Sequence, residues 1–197
     1  MQKPKPGKKS RVVDKWKKKQ WLTLLAPSEF DRTVLGETPA EKPKNAVGRT
    51  IKVDLGRLSG QRQKRHISMI FKIEKVEGLN ASCITVGHKT SGGFLNRLVR
   101  RRMSKIEAVQ RVSGSDGKKF KVKTIALSVR KLSEKQEKGI RKRLEEEIRK
   151  SAQKRTFEQF SQESIFGGLS SKIFKILSKI APIKRVEVIE TRLIEGK

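Results

Sequence analysis

HISMIFKIEKVEGLNASCITV (66–86) decides the fold. Ile67, Met69, Phe71 and Ile73 recur at every second position, with Ser68, Lys72 and Glu74 between them and Ile70 as the one interruption. A period of two belongs to a half-buried β-strand and not to a helix. Gly78 and Asn80 mark a tight turn. Ala81 to Val86 then run back, with Ser82, Ile84 and Val86 on one side and Cys83 and Thr85 on the other. The spacing predicts an antiparallel hairpin.

Toward the N-terminus, Trp21, Leu22, Leu24 and Leu25 read as a first buried strand stopped by Pro27. LGETPAEKPKNA (35–46) reads as an exposed loop punctuated by Gly and Pro. Residues 47–55 read as a strand and 56–64 as a turn. Toward the C-terminus the period changes. Over 91–103, Phe94, Leu95, Leu98, Val99 and Met103 follow helical spacing, with Thr90 or Ser91 as the cap. Residues 106–112 and 120–129 flank SGSDG (113–117), whose Asp-Gly step is a hairpin signal. A long helix is expected over 133–155, opened by a Ser133/Gln136 capping box and carrying one thin apolar stripe, Ile140, Leu144 and Ile148. Shorter helices follow at 157–168 and 170–181, and a last strand at 184–194.

This order predicts an α+β fold: a mostly antiparallel β-barrel decorated by peripheral helices, with a basic N-terminal arm. Closure into a barrel protects strand edges. The expected division is a flexible basic arm (1–15), a β-rich barrel core with one inserted helix (16–132), a helical region packed on that core (133–181), and a final strand returning to the barrel and pairing with an early one (184–194).

The 197 residues carry 49 Lys and Arg against 20 Asp and Glu, a formal net charge of +29. Such self-repulsion opposes the compact state, and a polyanion relieves it. The excess is concentrated. Residues 1–20 hold nine basic side chains and one acidic, and residues 89–123 hold eleven and two. The charged segments lack the apolar face that would enter lipid, so no membrane partner is expected. The basic N-terminus has no apolar stretch behind it and does not read as a secretory signal. The lone Cys83 excludes a disulfide framework and a paired-cysteine zinc site, and it sits in an apolar strand where a thiol is inert.

Catalytic chemistry finds little support. No phosphate-cradling glycine motif is present, and Gly92-Gly93 reads as a flexible turn more readily than as a phosphate site. His66 and His88 have no carboxylate cluster at ligand spacing; each reads as a ring packed at a strand end or stacked on RNA. Asp31, Asp54 and Asp116 are too scattered to hold the Mg²⁺ of a nuclease. Neither enzyme activity nor a cofactor or metal is expected.

The basic clusters carry the functional reading. Lys3, Lys5, Lys8, Lys9, Arg11 and Lys15 lie on the arm, which could order along phosphates or serve as a solubilising or targeting tail; Lys17, Lys18 and Lys19 follow it. Arg62, Lys64 and Arg65 make a basic turn. Arg100, Arg101 and Arg102, beside Arg97 and Lys105, end the expected helix; they exceed what complementing a helix dipole needs and match phosphates bidentately. Lys118, Lys119, Lys121 and Lys123 lie on the second hairpin, three of them as a ladder that could equally guard a strand against aggregation. Arg141 and Lys142 on the long helix are offset by glutamates at 145–147. Aromatic residues make up only 5%, with no Tyr, so base stacking looks weak and backbone-shape recognition of a folded RNA looks dominant.

Four stretches, VVDKWKKKQWLTLLAPSEF (12–30), GRTIKVDLGRLSG (48–60), GFLNRLVRRRMSKIEA (93–108) and SEKQEKGIRKRLEEEI (133–148), together resemble one family. It is the small-subunit ribosomal protein family shared by archaea and eukaryotes, called S-three-A-e or eukaryotic-type S-one. The resemblance covers roughly residues 12–160, and the short ends are similar to archaeal members. It implies a helix-decorated barrel and a structural role in the small ribosomal subunit in the cytoplasm. It implies a place on the platform near the rRNA 3′ end and the mRNA exit. Its partners would be small-subunit rRNA and neighbouring ribosomal proteins, without homo-oligomers. The family's basic segments fall on Lys17, Lys18, Lys19, Arg100, Arg101 and Arg102. A free RNA-binding chaperone or translation regulator is the alternative.

Overall fold

The computed structural model describes residues 16–194, so the arm expected at 1–15, with its six basic candidates, lies outside the described residues. The hairpin forms as the alternation requires: β4 (Ile67–Glu77) pairs antiparallel with β5 (Asn80–Thr90) along nearly its whole length. Ile67, Met69, Phe71 and Ile73 are buried, and so are Ala81 and Cys83 on β5. β3 (Thr50–Asp54) adds to the outer edge of β4, and the one-turn helix α1 (Leu55–Leu58) leads away from it.

The other edge of β5 is divided between two strands. At its start, Asn80–Ser82 pair in parallel with Thr23–Leu25 of β1 (Gln20–Leu25). At its end, Gly87–Lys89 pair antiparallel with Glu190–Arg192 of β8 (Ile183–Leu193). β1 carries β2 (Val34–Ala40) on its far side. β8 carries β7 (Lys119–Ser128), which carries β6 (Lys105–Ser113). The eight strands thus form one branched sheet in which β2, β3 and β6 are edges. The expected barrel is not there. No pairing joins β6 to β2 or β3, because β5 forks the sheet and sends its two arms apart. The last strand does meet an early one, at β5.

Helices, not closure, manage the long edge at β6. After β7 the chain forms α3 (Glu134–Gln153), opened by the reciprocal Ser133/Gln136 capping box, then α4 (Phe157–Phe166) and α5 (Gly168–Leu177). α3 lies against β6. Gln110 Nε2 donates to the Glu145 carbonyl at 3.1 Å, and Arg141 Nε donates to the Glu107 carbonyl at 3.1 Å. Ile140, Leu144 and Ile148 enter a core with Ile106, Phe120, Val122, Phe157, Phe160 and Ile173. The Phe120 ring meets those of Phe157 and Phe160 at 5.2 and 5.1 Å between centroids. A second core, under β1, β4 and β5, gathers Leu22, Leu24, Met69, Phe71 and Ile73. α4 reaches both, because Ile165 belongs to the second while Phe157 and Phe160 belong to the first.

Two further expectations change. Residues 35–46 are not a loop throughout: 34–40 are β2, paired with β1 across a bulge at Leu24/Leu25. Pro39 is tolerated because β2 is an edge strand, and its carbonyl accepts from Arg49 Nη1 at 2.9 Å. The helix expected over 91–103 is only α2 (Gly92–Leu98). Val99 is already extended and Arg102 takes a positive φ of 64°, which turns the chain into β6. Leu95, Leu98, Val99 and Met103 pack on Ile125, Leu127 and Ile189, so the apolar residues on both sides of the helix end face the sheet.

His88 sits where β5 meets β8 and is fully buried. Its Nδ1 accepts from Thr191 Oγ1 at 2.8 Å, and its Nε2 faces the Val188 carbonyl at 3.3 Å, a pair of contacts that suits the neutral ring. Burial pushes its pKa from 6.5 down to about 4. Between those values the unfolded chain binds a proton that the fold refuses, so stability should fall as pH drops from 6.5 to 4. By linkage the loss amounts to about 3 kcal/mol. Glu29 works in the opposite direction. Burial, then the neighbouring Glu158, raises its carboxyl from 4.5 to about 7, so its contribution is lost as pH rises across that range. Denaturant melts at stepped pH check both: His88→Asn should remove the acid-side decline, and Glu29→Gln should remove the opposing slope. Unaltered pH profiles in the two variants would contradict the assignment.

Candidate nucleic-acid interface

The outer face of β6, β7 and β8 is built by register. Directly opposed residues of antiparallel strands share a face. Arg111 pairs with Lys121, and Lys121 pairs with Arg192. All three are exposed. Their neighbours Val112 and Phe120 point into the core. Three cations therefore stand in one row on strands about 4.8 Å apart. Like charges directly across a sheet destabilise it, and among the described residues none of the three has an acidic partner. The row is held in place by backbone pairing.

At the other end of this face α2 covers the sheet. Arg97 and Arg100 line a cleft of about 230 Å³ together with Leu98, Leu127, Lys184 and Arg185. Arg185 is fixed on both sides: its Nε donates to Glu187 Oε1 at 2.7 Å, and its guanidinium lies 5.5 Å from the Phe94 ring centroid. His66 stacks on the same ring at 3.8 Å, and burial is the main cause that lowers its pKa. Lys64 sits 4.1 Å over the Phe166 ring. The basic turn at 62–65 and the arginines after α2 thus flank one surface centred on Arg185.

Other nominated residues are already engaged within the protein. Lys105 and Lys123 both bind Glu107, at 2.6 and 3.3 Å, and hold its carboxyl below the usual range. Lys118 lies 3.6 Å from Asp116 and 3.7 Å from Glu158, and it offsets the charge around Glu29. Arg141 spends its Nε on the β6 edge. Lys19 lies 4.1 Å over the Trp16 ring. By contrast Lys17, Lys18, Arg62, Arg65, Arg97, Arg101, Lys119, Lys121 and Lys142 are exposed without an ion pair among the described residues, as are Arg100 and Arg102. Arg100, Arg101 and Arg102 stand in the turn after α2 and not around a helix end, so dipole complementation does not account for them.

Arg111, Arg192, Lys184 and Arg185 are the residues that sequence reading missed. Each is an isolated cation or a pair within a strand, and only cross-strand register makes them a group. Of metal chemistry there is no sign among the described residues: no cluster of three His, Cys, Asp or Glu has suitable geometry. Cys83 is buried, which raises its pKa.

Residues 7–196 match the ribosomal S3Ae family. Three archaeal proteins, each named small ribosomal subunit protein eS1, are similar along almost their whole length. That of Methanococcus maripaludis is 37% identical over 194 residues, covering 98% of this chain and 86% of that protein. That of Saccharolobus islandicus is 35% identical over 189 residues, covering 96% and 91%. That of Methanothermobacter thermautotrophicus is 31% identical over 189 residues, covering 96% and 97%.

The cationic row separates stability from binding. Lys121→Thr should raise the free protein's melting temperature, because relieving like charges across strands is worth about 0.2–1 kcal/mol. The same change should weaken nucleic-acid binding and lower its salt slope by about one. A variant that melts lower, or binds with an unchanged slope, would show that the row is not aimed at phosphate.

Proposed function

Since the chain belongs to the ribosomal S3Ae family, we propose that it is a structural constituent of the small ribosomal subunit and holds folded rRNA through backbone-phosphate contacts. The observation that carries this reading is the uncompensated row Arg111, Lys121 and Arg192. A protein that acted alone would be more stable without it. A protein that spends its working life against RNA has its counter-charge supplied. The branched sheet supports the same reading, since it spreads cations over a wide face where a closed barrel would curl them away.

In this reading Arg97, Arg100, Arg101 and Arg102 extend the contact beyond α2, Arg62 and Arg65 border it, and Lys119 and Lys121 line its far end. The basic residues of 1–15 add further phosphate contacts. The place within the subunit that the family resemblance implies is the platform, near the rRNA 3′ end and the mRNA exit, among other small-subunit proteins in the cytoplasm. The role is structural and not enzymatic.

Gradient sedimentation tests the proposal. The protein should travel with small subunits at about one copy each and stay there through moderate salt. Replacing Arg100, Arg101 and Arg102 by Ala should weaken rRNA binding and reduce its salt slope by up to ~3 units. Saturating rRNA should also raise the melting temperature by linkage. A protein that remained in the light fractions at low salt would refute the reading.

A further inference from the structure

Beside the phosphate-binding face, α5 and β8 enclose a cleft of about 480 Å³ whose chemistry differs from the rest of the surface. Phe174 and Val186 give it an apolar lining, and Lys175, Lys184 and Arg185 give it a cationic rim. Phe174 is 36% exposed with nothing covering it. Ser170 also lines the cleft, and its hydroxyl is buried without a hydrogen-bond partner, so the wall holds an unused polar group.

A bare phosphate does not account for this combination. The start of α5 already has an anion of its own: the Glu163 side chain lies over Gly168, and Arg155 and Lys172 hold its carboxylate there. An acidic peptide fits poorly as well, because its carboxylates would engage the rim and leave the exposed face of Phe174 uncovered. A nucleotide matches each part. It brings a flat apolar ring for Phe174, hydrogen-bonding edges for Ser170 and Glu187, and one negative group for the rim.

We propose that the cleft between α5 and β8 binds one unpaired nucleotide of RNA, with its base against Phe174 and its phosphate toward Lys184 and Arg185. The inference rests on the RNA-binding reading and sharpens it. The broad face reads backbone shape, whereas this cleft takes a base that has left the helix, a mode the low aromatic content did not suggest. Arg185 joins the two, since it also lines the cleft beneath α2.

The test uses the full-length protein and a labelled cytidine hexamer. Phe174→Ser removes the platform, and Ser171→Trp fills the cleft from an exposed position. Each should lower affinity for the hexamer about tenfold, as expected for one lost stacking contact. The ratio should persist when salt is raised, since stacking releases no counterions. Binding to a blunt RNA duplex should not change. With wild-type protein, a hexamer carrying 5-iodocytidine should photo-crosslink to peptides spanning 166–175 or 184–187, a readout that needs no variant. Equal affinities throughout, equal binding of an abasic hexamer, or crosslinks confined elsewhere would overturn the proposal. So would displacement of the hexamer by oligoglutamate from the wild type but not from Ser171→Trp, which would make the occupant a protein. All of these leave small-subunit sedimentation untouched, so failure here is distinguishable from failure of the ribosomal reading.

Discussion

The architecture depends on the close approach of β8 to β5 at Gly87 and His88. A Cβ on Gly87 would lie 1.9 Å from the Thr191 carbonyl oxygen, so no other residue lets the two backbones meet. One position on, His88 is buried against Thr191 and Val188 of the same strand. Glycine permits the approach, and the buried imidazole fixes its register. Through this short contact the sheet of β1–β5 acquires β8, and with it β7 and β6. The same contact places Arg192 opposite Gly87 and in line with Lys121 and Arg111. A packing constraint in the interior thereby sets the cationic pattern outside.

The surface shows how a strongly basic protein distributes its charge. Acidic side chains are spent locally: Glu107 on two lysines, Glu163 on Arg155 and Lys172, and Glu187 on Arg185. The pairs of Glu107 and Glu187 are exposed enough to add little stability, whereas Arg155 and Glu163 are mostly buried. What they do is orient particular cations and remove others from the surface potential. Arg111, Lys121 and Arg192 on one sheet face, and Arg100, Arg101 and Arg102 after α2, have no ion pair among the described residues. Their mutual repulsion is a cost in the free protein, and under the proposed function an RNA partner would remove it.

Local pattern in the sequence was sufficient for the elements whose stability is local. The β4–β5 alternation, the Asp-Gly turn between β6 and β7, and the Ser133/Gln136 capping box all form where their residues predict. Long-range pairing was not legible. Nothing in Asn80–Thr90 announces that one edge serves two strands, so a barrel was a reasonable closure for the strands the pattern showed and the wrong one. Pro39 and Gly36 read as breakers because an edge strand's tolerance for proline depends on where the strand lies. The arginines after α2 were found from their run in sequence. Arg111 and Arg192, 81 positions apart, were not, because register alone makes them neighbours.

β8 is the latest-synthesised of the described strands, yet it lies between β5 and β7 in the interior of the sheet. During translation, β6 and β7 can pair with each other and take α3, but they join the sheet of β1–β5 only once residues 183–193 have emerged. The Arg111–Lys121–Arg192 row is therefore complete only when the last of the described strands has paired.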